Sequence, residues 1–89
     1  MHCTATYHGL HEWHKHMFEH LGWMLLAKQH KRASKLRAYI DGVKHLEETL
    51  VWKIRETRDQ DRKDDLSYLL ENTKILKRYA SKLIKKNRK

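Results

Sequence analysis

No proline interrupts this chain of 89 residues, and it holds only three glycines. A backbone with so few breakers, carrying apolar side chains at a 3.6-residue period, folds into amphipathic helices. Strand-type alternation is hard to find anywhere. The length suits one small domain spanning 1–89. The predicted fold class is all-α, an up-down-up three-helix bundle with short connections and helices over about 7–29, 34–57 and 64–86. Thr6 and Ser34 are cap candidates for the first two helices, and Asp61 or Asp64 for the third.

Helical wheels give each segment one apolar face. On the first it carries Leu10, Trp13, Met17, Phe18, Leu21, Met24 and Leu25. On the second it carries Leu36, Tyr39, Ile40, Val43, Leu46, Leu50 and Ile54. The third has Leu66, Leu69, Leu70, Thr73, Leu76, Ala80, Leu83 and Ile84. Nothing from Arg55 to Asp65 forbids a continuous helix. Carried forward, however, the second stripe lands more than about 100° from the third. One rod would bury its halves in different directions, so a break is predicted near Arg58 to Asp61. A dimer of long helices is the structural alternative.

Lys and Arg number 20 against 11 Asp and Glu, a formal net charge of +9. Lys28, Lys31, Arg32, Lys35 and Arg37 form one run without an acid. Lys74, Lys77, Arg78, Lys82, Lys85, Lys86, Arg88 and Lys89 form another, and no acid follows Glu71. In an up-down-up bundle the first connection lies beside the end of helix three, so the two runs meet at one pole. That pole gathers 13 of the 20 bases, while Glu56 to Asp65 holds five acids and three bases at the other. Compensation of helix dipoles needs one or two cations per helix end, far fewer than this. The expected partner is a polyanion, and the expected contacts are Lys31, Arg32, Lys35, Arg37, Lys77, Arg78, Lys82, Lys85 and Lys86. Nucleic acid is the leading polyanion. Without a sequence-reading motif, contact would be to phosphate and non-specific.

The wheels also leave Trp23, Leu26, Trp52, Tyr68, Ile75 and Tyr79 outside the core. Trp and Tyr are favoured interface anchors, so these residues are read as one outer surface covered by self-association or by a larger partner. Six of the eight histidines fall within the first twenty residues. Glu12, His16 and His20 follow at i+4 and are the candidates for a metal, with Cys3, His8 and His11 a looser set. Zinc spacing and the paired Glu-x-x-His motifs of a di-iron bundle are absent, so no metal or other cofactor is expected. His14 and Glu47 both sit inside apolar faces, at one level of the bundle, and are predicted to pair in the core.

A lone cysteine excludes an internal disulfide, and the longest apolar run, Trp23 to Ala27, is too short to span a bilayer. With no signal-peptide layout at the N-terminus, the chain reads as intracellular. No nucleophile–base constellation or glycine loop is present, so an enzyme is not expected.

Two stretches, His11-Glu12-Trp13 through Phe18-Glu19-His20-Leu21-Gly22-Trp23-Met24 and Asp61-Arg62-Lys63-Asp64-Asp65-Leu66, resemble short uncharacterised proteins encoded by large DNA viruses of algae and protists. The resemblance spans about half the chain and brings no defined motif and no active residues. It implies a virus-encoded protein, either a virion component or a factor working in the host cell. The functional expectation is a non-enzymatic basic module binding a polyanion. The alternative is a structural or assembly protein using its exposed Trp and Tyr face.

Overall fold

The computed structural model describes residues 6–87. Three α-helices carry almost all of it: α1 (Tyr7–Leu26), α2 (Ala33–Glu56) and α3 (Gln60–Asn87). There is no strand among the described residues. The longest dimension, 46 Å, is close to the ~42 Å that the 28 residues of α3 span as a helix.

Local chemistry sets each helix end. The Thr6 side chain accepts from the Gly9 amide at 2.9 Å, the predicted cap of α1. Helix α1 stops at Leu26, three residues before the predicted end, because Lys28 turns into the left-handed region at φ 58°. A single 3₁₀ turn, Gln29–Lys31, then leads into α2. Arg32 takes the N-cap position of α2 without a capping side chain, and Ser34 lies within the first turn. The break between α2 and α3 falls at Thr57 to Asp59, slightly earlier than predicted. Asp59 Oδ1 accepts from the Asp61 amide at 3.1 Å, so α3 begins at Gln60, ahead of the predicted Asp64 start. A carboxylate one residue before the helix meets the exposed first-turn amides better than one inside it.

The core has two lobes. Leu21, Met24, Leu36, Tyr39, Val43, Leu76 and Ala80 fill one. Leu10, Leu46, Leu50, Leu66 and Leu69 fill the other, and Met17 packs against both. All twelve are residues the wheels turned inward. Thr73 is fully buried between the lobes, its hydroxyl donating to the Leu69 carbonyl at 2.8 Å. Helices α1 and α2 approach closely at Gly42, where a Cβ would stand 3.2 Å from Met17 Cε. Phe18 departs from the predicted core, being 63% exposed. It sits at the edge of the α1 stripe, where a modest rotation of the helix about its axis turns it outward.

Cross-helix contacts fix the relative levels. Tyr7 and His11 of α1 meet Asp65 near the start of α3. Tyr39 of α2 donates to the Met17 carbonyl at 2.9 Å, and Glu47 of α2 meets Lys77 of α3. Asn87, at the end of α3, donates to the His30 carbonyl at 2.7 Å. All are compatible with helices that alternate in direction.

Leu46 is fully buried, and Leu46→Ala should cost about 2–5 kcal/mol of unfolding free energy in urea titrations. Lys28→Gly should instead gain roughly 0.5–1 kcal/mol, because glycine adopts the left-handed conformation without the Cβ penalty.

Candidate polyanion interface

The basic surface starts from the reversal that ends α1. The left-handed Lys28, the 3₁₀ turn and the Arg32 cap position expose Lys28, Lys31, Arg32, Lys35 and Arg37 within a short span. The final turns of α3 expose Arg78, Lys82, Lys85 and Lys86. The Asn87 Nδ2 to His30 carbonyl bond joins the two segments, so α3 ends against the turn that carries the first basic run. Arg88 and Lys89 lie outside the described residues.

One predicted contact belongs elsewhere. Lys77 is half-buried and donates to Glu47 Oε2 at 2.6 Å. It serves as the partner of a largely sheltered carboxylate on α2. The predicted His14–Glu47 pair is therefore corrected: Glu47 pairs with Lys77, and His14 Nε2 is buried with no hydrogen-bond partner. The long side chain of Lys77 extends its ammonium to the carboxylate from α3. Burial, with the nearby His11 adding to it, pushes the His14 pKa down.

The opposite end is of mixed charge. Asp65 accepts from the Tyr7 hydroxyl and lies 2.6 Å from His11 Nε2. The Tyr7 hydrogen bond, reinforced by His11, holds the Asp65 carboxyl below its usual pKa against the opposing effect of burial. Arg62 lies 5.3 Å above the Tyr7 ring. A shallow groove beside them is lined by Lys53, Arg58 and Arg62 as well as Glu56 and Asp59. His11 is thus part of a clasp between α1 and α3; no sequence spacing links it to a residue 54 positions away.

The metal candidates Glu12, His16 and His20 are exposed. No group of three metal-ligating side chains forms among the described residues. Instead His20 stacks on the Tyr39 ring at 5.7 Å, and Glu12 lies 3.9 Å from His8. Cys3 lies outside the described residues.

Trp23, Leu26, Trp52, Tyr68, Ile75 and Tyr79 are all exposed, but they do not form one surface. Trp52 shares a groove with Glu47 and Lys77, and Lys77 lies about 160° around α3 from Ile75. Trp23 packs near His20, on the side of α1 that meets Tyr39 of α2. Phe18, missed from sequence, lies seven and eleven residues after His11 and Tyr7. It therefore occupies the side of α1 that meets α3.

Because folding disfavours protonated His14, the unfolded chain takes up more protons as pH falls below about 6.5, and stability drops there. His14→Leu should remove this contribution and raise stability by about 1 kcal/mol at neutral pH. Thermal melts of both proteins at pH 7.5 and 5.5 check it; an equal acid loss in the two proteins would contradict it.

No helix among the described residues is long and apolar enough to cross a membrane. Compared with known proteins, the chain matches no protein family, no curated protein and no solved structure.

Proposed function

We propose that this chain is an up-down-up three-helix bundle that binds a polyanion, foremost nucleic acid, through the pole where its two basic runs meet. The observation that carries this reading is the Asn87–His30 hydrogen bond. It ties the end of α3 to the α1–α2 reversal and so sets two acid-free segments side by side. Exposed lysines and arginines neutralise phosphates, and phosphate contacts carry no sequence information, so binding is indifferent to sequence. The contact set is Lys31, Arg32, Lys35, Arg37, Arg78, Lys82, Lys85 and Lys86, with Lys77 withdrawn into its pair with Glu47. In this reading the protein acts by binding and performs no catalysis. A virus-encoded origin would suit packaged or replicating DNA as the polyanion.

Charge reversal tests the joint pole. Lys35→Glu and Lys85→Glu, one from each basic segment, should each weaken binding to a mixed-sequence duplex. Together they should weaken it on the order of tenfold or more, alike for unrelated sequences. Fluorescence anisotropy with labelled duplexes reads this directly. Full affinity in the double variant would remove the pole as the binding surface.

A further inference from the structure

One face of α3 has a charge order of which the polyanion reading uses only the basic end. Tyr68, Ile75 and Tyr79 are 68%, 57% and 45% exposed. The exposed acids Asp61 and Asp64 precede them, and the exposed bases Lys82 and Lys86 follow. At ~100° per residue these seven positions fall within about 60° of one another, turned roughly 130° from the buried stripe of the helix. The face therefore reads acidic, apolar and basic along a single line. Phe18 of α1, also exposed, flanks it on the side where α1 meets α3.

Such an order is self-complementary. A two-fold axis at the level of Thr73 and Lys74 sets Asp61 opposite Lys86 of a second copy, Asp64 opposite Lys82, and Tyr68 opposite Tyr79. The two Ile75 side chains lie side by side at the centre. Each contact occurs twice, as a closed isologous interface requires. A parallel arrangement would instead set acid against acid and base against base. We propose that α3 is the seam of an antiparallel homodimer, with a second copy of this chain covering Tyr68, Ile75 and Tyr79. Ile75 at the centre, tyrosines beside it and charges at the ends match the usual apolar core and polar rim of interfaces. The seam spans about 38 Å of helix. The seam shares Lys82 and Lys86 with the polyanion contact set, so self-association is measured with nucleic acid absent and Lys35 and Lys85 are left unchanged.

Sedimentation equilibrium without nucleic acid, from about 1 to 500 μM protein, tests it alongside charge variants whose helicity is checked by circular dichroism. The wild type should dimerise. Asp61→Lys with Asp64→Lys sets four lysines against four across the axis, and Lys82→Asp with Lys86→Asp does the same with carboxylates. Each double variant should dissociate at least tenfold more readily than the wild type. Mixing the two should give a heterodimer with every rim pair attractive. The chain carrying all four substitutions should dimerise with itself again. A wild type that stays monomeric at the highest concentration would overturn the proposal. So would a dimer that tolerates either double variant, since its contacts would then lie elsewhere.

Discussion

The architecture follows from a mismatch of phase. The apolar stripes of α2 and α3, followed along one continuous helix, would diverge by more than about 100°, and no single rod can bury both. A break at Thr57 to Asp59 removes the conflict and lets the two apolar faces pack into one core. Leu46 and Leu50 then share one core lobe with Leu66 and Leu69, and Tyr39 and Val43 share the other with Leu76 and Ala80. The same break leaves the lysine-rich end of α3 beside the turn after α1, where Asn87 donates to the His30 carbonyl. The joining of two basic segments is thus a by-product of hydrophobic phase, and like charges are tolerated there because they face water.

Polar groups within the bundle are settled by reach. Glu47 on α2 is too sheltered to stand alone, and the long side chain of Lys77 answers it from α3. Tyr39 sends its hydroxyl to the Met17 carbonyl, and burial pushes its pKa up to about 12, so it stays a neutral donor at any physiological pH. Tyr7 and His11 grip Asp65 at the far end. His14 Nε2 is buried without a partner, so acid weakens the fold at α1. Ties at both ends of α3, to Asp65 and from Asn87, set its level against α1.

Periodicity made the helices and their buried faces legible. Every hydrophobic residue of both core lobes stood on a face that the wheels turned inward, and the α2–α3 break was visible as a shift of phase. Helix ends were less so. The left-handed Lys28 carries no glycine or asparagine to announce it, and Asp59 looked no different from the neighbouring acids Asp61 and Asp64. Phe18 lay at the margin of its stripe, where small rotations decide burial. The pairings of the candidate site were least legible. Charge runs identify which segments are basic, but not that Lys77 bends inward to Glu47. Nor does a wheel of one helix tell which side of a neighbour another helix covers. Trp52 and the α3 tyrosines therefore looked like one surface from sequence and occupy two in the fold.

The central claim is that the pole works through phosphate charge, and the salt dependence of binding tests it most directly. The wild-type protein would be titrated into a labelled mixed-sequence duplex and a single strand at increasing salt. Contact with about six phosphates predicts a loss near 10³-fold in affinity between 50 and 200 mM salt, along a straight line in log–log form. A flat dependence, or no binding at low salt, would contradict the account.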